Sequence, residues 1–173
     1  VLSGVTADGK AACLVVVNCE TDFVAKNADF IALTKSILDK ALEVLPETID
    51  ELKEQVVGGR KIADLLTDQM GKIGEKIDVG FYGKVSAEHS FAYTHPGNRL
   101  ATIVSFDAKV ADPQVGKDVA MQIAAMNPVA IDQNDVPQSV IDSEIEIAKE
   151  KTIQEQIQKA VEVALKKAGI NPN

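Results

Sequence analysis

The sequence predicts an α+β fold in which small antiparallel sheets pack against helices, in two related subdomains with a long helix at the C-terminal end. Three observations predict it. Apolar residues recur at spacings of three and four over residues 30–45, 62–70 and 141–164, which puts them on one side of a helix. Over residues 77–106 the period switches to alternation, as strands with one buried face require. Near the start, Ala7-Asp8-Gly9 is a turn signal ahead of the apolar run Leu14-Val15-Val16-Val17.

The elements follow in order. Lys10 to Asn18 reads as the buried second arm of a hairpin, its residues apolar on both faces. After the connection Thr21 to Lys26, Asn27 caps a helix with the stripe Phe30, Leu33, Ile37, Ala41 and Leu45, ending before Pro46. Thr48-Ile49-Asp50-Glu51 fits a capping box that opens a short helix with Ile49, Leu52 and Val56 inward, stopped by Gly58-Gly59. A third helix carries Ile62, Leu65, Leu66 and Met70 until Gly71 and Gly74 break it.

Alternation then places Ile77, Val79, Phe81 and Val85 on one strand. Phe91, Tyr93 and His95 fall on the next, and Leu100, Thr102, Val104 and Phe106 on a third. With the turn His95-Pro96-Gly97-Asn98-Arg99 between the last two, these three read as an antiparallel meander. Asp112-Pro113 opens a helix through Val119 and Ile123 to Asn127-Pro128. Asp135-Val136-Pro137 opens a longer one, striped by Ile141, Ile145, Ala148, Ile153, Ile157, Val161 and Ala164 up to Gly169. The expected organisation is a first subdomain over 1–86, a second over 87–134, and a projecting or dimerising helix over 135–173. No internal repeat or low-complexity tract interrupts it.

Composition narrows the function. The 173 residues suffice for one domain with a closed core. With 18 Lys+Arg against 26 Asp+Glu the formal charge is −8, which repels phosphate backbones and anionic lipid. The expected partner is therefore neither nucleic acid nor membrane, and no apolar run approaches the ~20 residues of a membrane helix. No signal-peptide pattern precedes the first strand, so a cytoplasmic location is expected. Val1 in place of an initiator Met, and the ending Asn171-Pro172-Asn173, suggest a processed chain or a piece of a longer one.

Cys13 and Cys19 share strand parity but lie ~20 Å apart if extended, too far to bridge, and read as reduced thiols. Gly83-Lys84 is no phosphate loop, because Asp78 and Val85 stand where the pattern needs Gly and Ser or Thr, and Lys84 reads as a solvated strand residue. His89 and His95 lack a nucleophile or ligand pattern, so no cofactor or metal is expected. His95 sits at a turn tip, where its ring can meet a partner. Glu20, Asp22 and Asp29 lack the dense oxygen spacing of a calcium loop.

The most informative stretch is Thr21-Asp22-Phe23-Val24. A Phe beside an Asp in a surface connection has no packing reason to be there and looks made for a partner. The alternative is an Asp favoured by a helix N-terminus and a Phe that folds back onto the core.

Several dispersed segments, taken together, resemble the elongation factor Ts family of guanine-nucleotide exchange factors. They are Val17-Asn18-Cys19-Glu20-Thr21-Asp22-Phe23-Val24-Ala25-Lys26, Lys72-Ile73-Gly74-Glu75-Lys76-Ile77, Tyr93-Thr94-His95-Pro96-Gly97, and Ala120-Met121-Gln122-Ile123-Ala124-Ala125-Met126-Asn127-Pro128. The likeness runs from Val1 to about Glu150 and thins in the last helix. Lys76, Pro96 and Gln122 depart from the residues commoner in the family.

The resemblance implies a partner, the GTPase elongation factor Tu. Thr21, Asp22, Phe23 and Val24 would insert beside its switch helices and displace its magnesium ion. Ile73 and Gly74 would form the adjoining surface, and His95 would touch the nucleotide domain. It also implies a fragment without the N-terminal helical module and the C-terminal remainder, whose unpaired strand edges invite a homodimer. Two rivals stand beside this reading: a partner-binding fragment without exchange activity, and a hydrolase in which Glu20, Asp22 and His95 would have to converge in one pocket.

Overall fold

The computed structural model describes residues 1–169; the Asn171-Pro172-Asn173 terminus lies outside the described residues. The fold is mixed helix and strand with small antiparallel sheets and a long C-terminal helix, in two compact units, Val1–Asn127 and Pro128–Asn173.

In the first unit, β1 (Leu2–Val5) and β2 (Ala11–Asn18) form the expected hairpin, paired from Leu2 opposite Val15 to Val5 opposite Ala12. The third strand of that sheet is β5 (Asp78–Ser86), antiparallel to β2 on its other side. The main core lies between this sheet and three helices: α2 (Ala28–Val44), α3 (Ile49–Glu54) and α4 (Ile62–Ile73). Cys13, Val15 and Val17 meet Phe30, Ile37 and Ala41 of α2, Leu52 of α3 and Leu66 of α4 there. At ~25 cal/mol per Å² of apolar surface buried, such a set is the dominant stabilising term.

The helix ends follow local chemistry. Asn27 caps α2, its side chain accepting from the N–H groups of Asp29 and Phe30 at 2.8 and 3.3 Å. Thr48 caps α3 by accepting from Glu51 N at 3.1 Å. The Glu51 carboxylate reaches back to the N–H of Glu47 rather than to that of Thr48. Chain reversal at Leu45 ends α2 ahead of Pro46.

Four local expectations are corrected. α3 ends at Glu54, and Gly58-Gly59 turn a two-residue ribbon, β3 (Val56–Val57) with β4 (Arg60–Lys61), so Val56 is exposed rather than inward. Gly71 lies inside α4, which runs on to a left-handed Gly74. Lys84 is not merely solvated, since its ammonium donates to Leu45 O at 2.9 Å and pairs with Glu47 at 2.6 Å, holding the end of α2. Phe81 does not continue the inward face of Ile77 and Val79. The β2–β5 register passes from Val17 opposite Val79 to Val16 opposite Phe81, which leaves Gly80 as an extra residue. That bulge reverses the parity, turning Phe81 outward and Tyr82 toward the core.

The meander is also corrected. β6 (His89–Thr94) and β7 (Ala101–Phe106) pair only with each other, while β5 belongs to the first sheet. Polar ties dock this second hairpin against the first. Ser90 N donates to Gly9 O at 2.7 Å, and Ser90 Oγ donates to Lys10 O at 3.0 Å. Ser3 and Thr94 exchange a hydroxyl contact of 2.9 Å. α5 (Pro113–Met126), capped by Asp112, covers the hairpin through Gly116 and Ala120, where Phe91 is buried.

The second unit contains α6 (Gln138–Lys167), 30 residues with no buried side chain. Ile145, Ile153, Ile157 and Val161 of the expected stripe are all exposed.

Candidate functional site

The site grows out of the end of β2. The strand stops at Asn18, and Thr21 in extended conformation caps a single helical turn, α1 (Asp22–Ala25), by accepting from Val24 N at 3.4 Å. Within that turn Val24 packs against the main core while Phe23 is 83% exposed, so the aromatic does not fold back inward. A four-residue helix has too few backbone bonds to persist unaided. The packing of Val24 anchors the turn, and its start depends on what holds Thr21.

A second element supplies that hold. α4 ends at Ile73, half-buried against the main core, and Gly74 takes φ +79°, a conformation that disfavours any side chain. The chain thereby delivers Glu75 to the Thr21 loop. Its carboxylate accepts from Glu20 N at 3.1 Å, Thr21 N at 3.0 Å and Thr21 Oγ1 at 2.6 Å. These bonds hold the Glu75 carboxyl below its usual range, the Thr21 hydroxyl foremost. Cys19 adds a contact, its thiol donating to Thr21 O at 3.3 Å. Burial first, and then the Glu75 charge, raise that thiol's pKa and keep the proton in place.

Asp22 pairs with Lys26 at 2.8 Å one turn along. That hydrogen bond, followed by the Lys26 charge and a smaller influence of Arg99, holds the Asp22 carboxyl below its usual range. Arg99 lies in the β6–β7 turn, so its charge links the Asp22 loop to the turn that carries His95. His95 is exposed, with Nδ1 2.7 Å from Tyr93 Oη. An open cleft of about 550 Å³ adjoins these pieces, lined by Leu14, Val16, Ala25, Phe30, Arg99 and Leu100 among others, but not by Asp22, Phe23 or His95.

A hydrolytic reading finds no support in this arrangement. The Asp22 carboxyl shifts away from the range of a general acid, and its strongest bond is to Lys26. Among the described residues no hydrogen bond joins Asp22 to His95, and no cluster of His, Cys, Asp and Glu could hold a metal. No described helix is long and apolar enough to cross a membrane.

The family model described as elongation factor TS matches residues 20–168, from the Glu20 bend through α6. This chain belongs to the elongation factor Ts family. The match continues past Glu150, where the sequence likeness was expected to thin. A curated elongation factor Ts of Phocaeicola vulgatus is 49% identical over 166 residues, covering 95% of this chain and 50% of its own length. That of Parabacteroides distasonis is 48% identical over 167 residues, with 96% and 50% covered. That of Porphyromonas gingivalis is 48% identical over 148 residues, with 85% and 53% covered. The chain thus spans about half the length of these elongation factor Ts relatives.

Of the residues named from sequence, Thr21, Asp22, Phe23 and Val24 form one capped turn. Ile73 and Gly74 end the helix from which Glu75 reaches that turn, and His95 lies on the separate hairpin turn. Sequence reasoning missed Glu75 and Arg99. Glu75 stands inside the quoted Lys72-Ile73-Gly74-Glu75 segment, and the glycine before it signals a helix end, but no local rule pairs it with Thr21 54 residues away.

Proposed function

We propose that this chain is a guanine-nucleotide exchange factor that binds GDP-bound elongation factor Tu in the cytoplasm and promotes GDP release during translation elongation. The observation that carries the proposal is Phe23, 83% exposed on a turn held at its start by Thr21 and Glu75. Thr21, Asp22, Phe23 and Val24 disturb the partner's magnesium site, while Ile73, Gly74 and His95 contact adjoining surfaces. Magnesium bridges nucleotide phosphates and protein oxygens, so its loss leaves phosphate charge less neutralised and GDP less firmly held.

Such a factor acts by binding and supplies no chemistry. It needs only to bind the distorted or nucleotide-free partner better than the GDP-bound one. Burying a Phe removes roughly 150–250 Å² from water. At about 25 cal/mol per Å² this is on the order of 4 kcal/mol gross. At ~1.4 kcal/mol per decade, that is enough to speed release several hundredfold.

The test is release of fluorescent GDP from purified elongation factor Tu, with and without the chain, beside Phe23→Ala. Acceleration that Phe23→Ala abolishes supports the proposal. The second reading, a partner-binding fragment without exchange activity, draws on the chain spanning half the length of its relatives. It predicts binding without acceleration. α6 completes the reading as a pairing helix through Ile145, Ile153, Ile157 and Val161, which sedimentation at rising concentration checks.

A further inference from the structure

We propose that Glu75 is the positioning residue of the exchange loop: its carboxylate sets the orientation of Phe23 by fixing Thr21. The inference rests on the exchange reading above and adds to it the group that holds the loop in working geometry.

The connection is continuous in hydrogen bonds. One Glu75 oxygen accepts from two successive backbone N–H groups, Glu20 at 3.1 Å and Thr21 at 3.0 Å. The other accepts the Thr21 hydroxyl proton at 2.6 Å, a short charge-assisted bond. Having donated its proton there, Thr21 Oγ1 offers its lone pairs to Val24 N. The cap of α1 is therefore oriented by Glu75, and α1 carries Phe23.

The far end of the connection is rigid. Glu75 follows Gly74 at the end of α4, which is anchored in the core by Ile62 and Leu66. Phe23 makes no comparable anchor of its own, being 83% exposed. A loop left mobile would lose conformational freedom on binding, and holding it beforehand spares that cost. Because the side chain links residues 54 positions apart, the orientation is a property of the folded protein and not of the loop sequence.

The experiment compares GDP release from elongation factor Tu by the natural full-length polypeptide and three variants: Glu75→Ala, Phe23→Ala and the double variant. Amide hydrogen exchange at Thr21 and Val24 is read in parallel. Glu75→Ala is expected to slow exchange about tenfold, the scale of losing hydrogen bonds to a charged group, and to speed amide exchange at Thr21 and Val24. The double variant is no slower than Phe23→Ala alone, because Glu75 acts through Phe23.

Undiminished activity of Glu75→Ala beside a slowed Phe23→Ala overturns this inference and leaves the exchange reading standing. So does a Glu75→Ala loss that repeats in full on the Phe23→Ala background. An unaltered rate for Phe23→Ala overturns the exchange reading itself, and this inference with it.

Discussion

The ring of Phe91 lies close against Gly116: a Cβ built on that glycine would stand 2.3 Å from Phe91 Cε2 and 2.4 Å from Cδ2 and Cζ. The ring has little freedom to retreat, since His89 leans against it with centroids 4.4 Å apart and planes tilted by 46°, and Phe106 meets it edge-on at 5.8 Å. Gly116 thus lets α5 approach the second hairpin closely. Gly116→Ala is expected to destabilise the protein by about 1–3 kcal/mol through overpacking, despite the better helix propensity of Ala. The check is the midpoint of denaturant unfolding at unchanged slope.

Gly71 gives the opposite expectation. It lies inside α4, and nothing stands within 4 Å of the position its Cβ would take. Gly71→Ala should therefore stabilise by about 0.5–1 kcal/mol, from helix propensity and a less flexible unfolded chain. A raised unfolding midpoint checks it, and the contrast with Gly116→Ala separates close packing from propensity.

Phe23→Ala is expected to separate function from stability. With Phe23 83% exposed, its removal should change stability by no more than about 0.5 kcal/mol. A central aromatic anchor costs about 2 kcal/mol or more when truncated, so nucleotide release should slow by roughly 30-fold or more. Unfolding curves and GDP-release rates on the same preparation check both halves.

The Glu75 carboxyl lies below its ordinary value of 4.5, chiefly through the Thr21 hydroxyl. The unfolded chain therefore binds the proton more readily than the folded one. This contribution to stability is fully present above the ordinary glutamate range and is lost as pH falls through Glu75's own lower value. A pH titration of the Thr21 amide resonance should show a midpoint below that of an ordinary glutamate, and Glu75→Gln should remove the transition. The variant isolates Glu75 from Glu20 and Asp22, which lie in the same loop.

Much of the fold was legible because the signals are local. Asn27 before Ala28, Asp112 before Pro113, and Leu45 ahead of Pro46 mark helix ends through hydrogen bonds and steric limits within a few residues. The exposure of Phe23 was legible for a similar reason: its connection follows a finished strand and precedes a capped helix. The partner of β5 was not legible. Alternation says that residues 78–86 form a strand but not which strand it joins, and the turn-linked neighbour β6 was the natural expectation. Nor was the outward turn of Phe81, because a bulge of one residue at Gly80 inverts parity without interrupting the apolar pattern.

By itself, the sequence determined the element types, most of their ends, the family, and the surface loop that carries Asp22 and Phe23. Each of these rests on interactions between residues close in the chain, or on a motif that is contiguous. Only the tertiary structure decided that β5 pairs with β2, that Lys84 holds the end of α2, and that Glu75 holds Thr21. Those contacts join residues 39 and 54 apart, as in the Lys84–Leu45 and Glu75–Thr21 bonds. No local propensity encodes such pairings; they exist once burial of the common core has packed α2 and α4 against the sheet that holds β2.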